Sequence, residues 1–213
     1  LEKARHFSVF TVFIRSVYYD EVLSKNFEEI CARRNLPSGL CQAESWGADW
    51  YNGIEPTDGP GEISVTKHRF SAFLGTDLDL YLRSNNISSI IITGVNTGGS
   101  LDATLREALL LDYRILVPED CITDCHAGSI KNTREISGNV LSSDDIYAEW
   151  ANASPGVDRS WLPNAKRGRV LTELNTRIEP KHTALVLIDL QNDFCSPKGA
   201  MGKLGEDLSA AQT

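Results

Sequence analysis

Three polar residues close apolar runs in this chain: Asp189 ends ALVLID, Lys67 follows EISVT, and Ser100 comes after IIITGV in the stretch IITGVNTGGSLDATLRE. A carboxylate, an ammonium and a hydroxyl are the parts needed for nucleophilic attack on a carbonyl: a proton acceptor, a positive charge to hold an anion, and an attacking atom. Taken singly, each has a plain role as a turn-capping acid, a snorkelling lysine or a helix N-cap serine. What sets them apart is their shared position at the C-terminal ends of strands, the edge on which parallel sheets assemble their sites.

The turn before Ser100 adds to this. Gly98 and Gly99 permit positive φ and close approach, so the backbone N–H groups of Gly99 and Ser100 can converge at a helix N-terminus. That is the geometry of an oxyanion hole, in which one donor is worth about 3 to 4 kcal/mol of barrier. A phosphate loop is the rival, but NTGGS has neither GK[ST] nor the G-x-G-x-x-G spacing of dinucleotide folds.

The elements that would position these residues are legible. Continuously apolar, β-branched runs at 8–16, 62–68, 88–95, 114–120 and 183–190 suit parallel strands covered on both faces. Between them, TDLDLYLRSNN and SLDATLREALLLDY place Leu78 and Leu82, and Leu101, Leu105 and Ala108, at helical spacing, with Asp77 and Asp102 near the helix starts. Strand alternating with helix predicts a single-domain, doubly wound α/β parallel sheet over 1–213. Residues 37–61 read as a long functional loop, and 151–180 as an aperiodic stretch of the kind that precedes a first strand.

Composition narrows the function classes. With 41% hydrophobic and 23% charged residues and a net charge of −8, the chain has no membrane-length apolar run and no clustered basic surface, so neither a membrane nor a nucleic-acid partner is expected. LEKARHFSVF lacks signal-peptide features, which makes a cytoplasmic location the expectation. The five cysteines, Cys31, Cys41, Cys121, Cys125 and Cys195, lack zinc-like pairing; Cys121, Cys125 and His126 lie close in sequence without a second ligand cluster, and buried reduced thiols are the expectation.

The segments ALVLIDLQNDF, TKHRFSAFLGTDLDLYLRSNNISSIIITGV and GVNTGGSLDATLREALLLDYRILVPEDCITD resemble the isochorismatase-like cysteine hydrolase family. The resemblance implies a three-layer α/β/α fold, commonly assembled as a homodimer or homotetramer. It also implies a catalytic triad of acid, lysine and cysteine, whose places fall on Asp189, Lys67 and Ser100. Family activities include hydrolysis of amides and ureides and of the isochorismate vinyl ether. The core around RFSAFLGTDLD is similar to ureidoacrylate-type amidohydrolases, so a small amide or ureide is the expected substrate and no cofactor is implied. Nicotinamidases add a metal on an Asp-x-His arrangement; here Asp49 is followed by Trp50 and Tyr51, and no catalytic metal is expected.

Two departures from the family pattern bear on function. The Asp-bearing segment comes last, so the chain reads as a circular permutation in which 181–213 is the native first strand and helix and 151–180 a native N-terminal extension. The junction falls inside a predicted helix, GEDLSAAQT joined to LEKARHFSVF, where a natural permutation would more often open an exposed loop; the expectation is an engineered order or one differing from the native chain. The second departure is Ser100 in the place of the thiol, expected to be either an inactivating substitution or a natural variant, since none of His6, His68, His126 and His182 is placed to activate a serine. Two further readings stay open: an isochorismatase-type vinyl-ether hydrolase using Asp189 as general acid, and a non-catalytic binder of a small carbonyl ligand.

Substrate-binding candidates are Asn96 in the turn, Gln191, Asn192 and Phe194 after Asp189, Trp46, Trp50 and Tyr51 in the long loop, Tyr18 and Tyr19 near a strand end, and Arg15 and Arg69 for a carboxylate.

Overall fold

The computed structural model describes residues 1–57, 59–95, 97–123, 134–136, 139–152, 174–206 and 208. Six parallel strands, β1 (Phe10–Ser16), β2 (Glu62–Lys67), β3 (Ser89–Gly94), β4 (Arg114–Pro118), β5 (Val140–Leu141) and β6 (Thr183–Ile188), form one sheet in the order β2-β1-β6-β3-β4-β5. The five predicted strands are all present, and the two-residue β5 on the edge is an addition. The last strand in the chain is a central one, paired to β1 on one side and β3 on the other.

The two-residue period of a strand sorts the side chains onto the two faces. Val12 and Ile14, Ile90 and Ile92, Ile115 and Val117, and Ala184, Val186 and Ile188 join one core cluster. Their alternates Phe13, Ile91, Leu116, Leu185 and Leu187 join a second one. Helices α3 (Leu78–Ser84) and α4 (Asp102–Leu110) cover the first face with Leu78, Leu82, Leu105 and Ala108, the apolar spacing that the sequence carries. The second face is covered by α1 (Glu2–His6) through Ala4 and by the helix Ser143–Asn152 through Ile146 and Trp150. Helix α2 (Lys25–Arg33), capped by the Ser24 hydroxyl on the Phe27 N–H, packs Phe27 against Tyr18, Cys41, Phe194 and Cys195 in a third cluster at the strand ends.

Two details bring the strand ends together. Gly94 closes β3 with φ +134°, and a Cβ there would stand 2.2 Å from the Ile188 carbonyl oxygen, so only glycine lets β3 and β6 approach this closely where both turn out of the sheet. The helix expected to open at Ser100 begins instead with a π-turn, Thr97–Leu101, and continues as α4 from Asp102. Single π-turns widen a helix locally and recur at functional positions. Among the described residues no helix is long and apolar enough to cross a membrane.

Candidate active site

Strands β2, β1 and β6 are neighbours, so Lys67, Ser16 and Asp189 leave the sheet side by side, with Ser16 in register with Lys67. Ser100 reaches the same spot from the turn after β3, on the other side of β6. The Lys67 ammonium donates to Ser16 Oγ at 2.7 Å, to Ser100 Oγ at 3.0 Å and to the Arg69 carbonyl at 3.3 Å. These three bonds use all the protons an ammonium has. Asp189 Oδ2 lies 3.1 Å from the same nitrogen and makes no hydrogen bond, so that contact is a charge pairing alone. Asp189 Oδ1 accepts from the Ser16 hydroxyl at 3.0 Å.

All four side chains are shut away from solvent: Lys67 and Asp189 are 0% exposed, Ser16 1% and Ser100 6%. Ions at such a site need each other, because losing either partner leaves an uncompensated buried charge. The acid is also held in a costly backbone shape. Asp189 has φ +56°, with its N–H on the Ile14 carbonyl at 3.0 Å and its own carbonyl accepting from the Gln191 N–H at 2.8 Å. Left-handed backbone at a non-glycine residue persists where surrounding contacts over-determine it, and it clusters at functional positions. Once an ammonium in such a cluster has passed a proton to its carboxylate, the amine left behind can take and return the proton of a neighbouring hydroxyl without bulk water.

The phenol and the thiols around the cluster are held in their neutral forms. Burial, reinforced by the Asp189 charge, pushes the Tyr18 phenol far above its usual range, against a smaller downward pull from the Ser16 hydroxyl. Burial, then the charges of Asp189 and Asp193, likewise raise the Cys41 thiol well above its ordinary value. Cys195 is pushed up to about 12, mainly by burial and then by Asp189. Both thiols are buried and in no disulfide, as the sequence leads one to expect, whereas Cys31 and Cys121 are only partly buried; Cys125 and His126 lie outside the described residues.

The other candidates are distributed differently. Gln191 is fully buried, and its amide is taken up by backbone: it accepts from the Ser16 N–H at 2.7 Å and donates to the Ser16 and Ala48 carbonyls at 2.8 and 2.7 Å. Asn192 donates to the Trp46 carbonyl at 2.8 Å. These two residues fasten the long loop to β1 and β6, so their amides face backbone rather than an open substrate space. Phe194 and Tyr18 pack in the cluster at the strand ends, with Tyr51 partly buried against it. Trp50 lies against Phe13 and under Arg15, and Trp46 is half exposed, so the loop tryptophans do not converge on Lys67. The Arg69 guanidinium donates to the Val22 and His68 carbonyls and stacks on Phe27, and Arg15 donates to Thr66. Tyr19 meets His68, whose ring also contacts the Val17 carbonyl. Gly99 lies in the π-turn beside Ser100, where first-turn amides of a helix lack intrahelical acceptors. Asn96 lies outside the described residues.

Ser16 is the member that sequence reasoning missed. The signal was present, since it is the polar residue ending the run SVFTVFIRS just as Lys67 ends EISVTK, but only strand adjacency gives it meaning. Among the described residues no group of three or more His, Cys, Asp or Glu side chains is placed to hold a metal ion.

The Isochorismatase domain family model matches residues 1–145. The chain belongs to the isochorismatase family. The match ends before β6, so the strand that delivers Asp189 lies outside the matched residues. Among curated proteins the chain is similar to an N-carbamoylsarcosine amidase from Arthrobacter sp, 33% identical over 56% of this chain and 46% of that protein. It is also similar to a ureidoacrylate amidohydrolase RutB from Variovorax paradoxus, 29% identical over 58% of this chain and 50% of that protein. The chain thus spans about half the length of these curated relatives. Among solved structures, an isochorismatase family protein from Desulfovibrio vulgaris aligns over 69% of this chain and 80% of its own, with 26% identity and a TM-score of 0.58. A cysteine hydrolase from Pseudomonas syringae, 16% identical over 72% of this chain and 77% of its own with a TM-score of 0.63, shares the fold.

Proposed function

We propose that the chain hydrolyses a C–N bond of a small amide or ureide. In this reading the attacking atom is on residue 100, Lys67 and Asp189 manage its proton, and the backbone N–H groups of Gly99 and residue 100 receive the oxyanion. The observation that supports it is the Lys67 ammonium, 3.0 Å from Ser100 Oγ and 3.1 Å from Asp189, at the strand edge where sites of this architecture form. Relatives bearing the names amidase and amidohydrolase point the same way. With a thiol at position 100, Asp189 would take its proton, Lys67 would hold the thiolate during attack, the proton would pass to the leaving nitrogen, and water would clear the acyl-enzyme. The same reading takes 181–213 as the family's opening strand and helix within one domain, since β6 pairs between β1 and β3.

The test is an ammonia- and amine-release screen of the protein and its Ser100→Cys form over small amides, ureides and isochorismate. Release from an amide or ureide by the thiol form is the expected result. Turnover of isochorismate alone would favour the vinyl-ether reading, with Asp189 as general acid. A ligand held unchanged by calorimetry with no product from any substrate would make the chain a binder and end this proposal.

A further inference from the structure

Asp189 reaches Ser100 only through other side chains in the hydrogen-bond network. Among the described residues no hydrogen bond joins the two; instead Ser100 Oγ, Lys67 Nζ, Ser16 Oγ and Asp189 Oδ1 stand in one unbroken line with spacings of 3.0, 2.7 and 3.0 Å. Every member of that line is buried. We propose that Ser100 is itself a working nucleophile, with Lys67 as its base and Ser16 as a positioning residue that relays the Lys67 proton to Asp189. This rests on the amide or ureide hydrolase reading and assigns its chemistry to the hydroxyl that the chain carries.

A carboxylate is a weak base for an alcohol, whereas a neutral amine is a strong one, and serine–lysine pairs are an established way to activate a hydroxyl. The amine must first lose a proton, and a buried site cannot release it to solvent. Ser16 provides the path. One Nζ proton moves to Ser16 Oγ while the Ser16 proton moves to Asp189 Oδ1, turning ammonium and carboxylate into amine and acid with no change in the net charge of the buried cluster. The direct contact of Nζ with Oδ2 at 3.1 Å lacks hydrogen-bond alignment, which leaves the serine as the hydrogen-bonded route. The other titratable groups that the Asp189 charge acts on, Tyr18, Cys41 and Cys195, are held neutral by burial, so none competes for the proton.

The step then balances. Ser100 Oγ bonds to the substrate carbonyl carbon, its proton passes to the Lys67 amine, and the carbonyl π pair moves onto the oxygen. As that pair returns, the C–N bond breaks, and the resulting ammonium gives its proton to the departing nitrogen. Water attacks the ester on Ser100, Lys67 takes the water proton, and collapse returns a proton to Ser100 Oγ and frees the acid.

A fluorophosphonate probe reads this without knowing the substrate, because a nucleophilic serine forms a P–O bond with loss of fluoride. Intact mass and peptide mapping of the probe-treated protein are expected to place one adduct on Ser100, absent from Ser100→Ala and Lys67→Ala. Ser16→Ala is expected to slow labelling about a hundredfold at neutral pH. Ser16→Thr, which keeps the hydroxyl, is expected to regain most of the loss, and thermal melting checks that each variant folds. An unlabelled Ser100 in the unaltered protein overturns the proposal, as does a Ser16→Thr rate as low as that of Ser16→Ala. If Ser100 stays unlabelled while Ser100→Cys hydrolyses amides, only the hydroxyl route fails; if no form hydrolyses amides or ureides, the underlying reading fails with it.

Discussion

Asp189 and Asp193 stand on the same short stretch, IDLQND, and are held in opposite ways. Asp193 accepts the Cys41 N–H at 2.7 Å on one oxygen and the Ala200 N–H at 3.0 Å on the other. Gly47 leaves room for it, since a Cβ there would come within 2.2 Å of its carboxylate. That acid is spent on backbone and ties the long loop to the chain's last turns. Asp189 has one oxygen on a hydroxyl and the other facing an ammonium with no hydrogen bond, in a strained turn with no solvent. The contrast separates a carboxylate that satisfies orphan N–H groups from one left able to accept a proton.

The strongest way to press on that difference is to remove charge. Asp189→Ala leaves the Lys67 ammonium buried without its counter-charge and is expected to cost about 3 to 5 kcal/mol in urea unfolding. Lys67→Met combined with Asp189→Leu should cost less than Asp189→Ala alone, and a double variant costing the sum of the single ones would show that the two do not act as a pair. Next in size, Asp193→Ala orphans two backbone N–H groups and is expected to cost about 1 to 3 kcal/mol while the reactivity of residue 100 in the folded protein stays as it was. Lost reactivity there would erase the distinction between the two acids.

A smaller effect, absent at neutral pH, concerns the thiols beside both acids. Cys41 and Cys195 are raised in the folded state, so above the ordinary thiol range the unfolded chain loses their protons while the folded chain keeps them. Fewer protons on the unfolded chain mean that stability falls with rising pH, from about pH 8.5 until the buried thiols ionise, near 12 for Cys195. Cys195→Ala should flatten that decline in denaturation followed against pH, and a slope unchanged by it would place the burden elsewhere. The smallest effect sets the baseline for a solvated pair: Arg33 and Glu29, 75% and 63% exposed at 3.2 Å on α2, should lose only about 0.3 to 0.5 kcal/mol on Arg33→Ala, and less in high salt.

What the sequence could and could not disclose follows from how far each signal reaches. Apolar runs, two-residue alternation and the spacing of Leu101, Leu105 and Ala108 are local, so five strands, the helices α3 and α4 and the trio Asp189, Lys67 and Ser100 at strand ends were readable from the chain alone, while α2 and the helix Ser143–Asn152 were not. The substrate-binding candidates Gln191 and Asn192 were readable only as polar residues near an acid; that their amides face the backbone of Ser16, Ala48 and Trp46 depends on segments more than a hundred positions away.

Sequence by itself determined the chemical types on the sheet's C-terminal edge, because burial pattern and strand ends are written in neighbouring residues. Tertiary structure alone decided that the last strand lies between β1 and β3, and hence that Ser16, 173 positions from Asp189, stands between the acid and the lysine. The physical reason is that strand pairing is settled by which faces bury best across the whole sheet, and the partners of a buried polar group are whichever side chains that packing brings within reach.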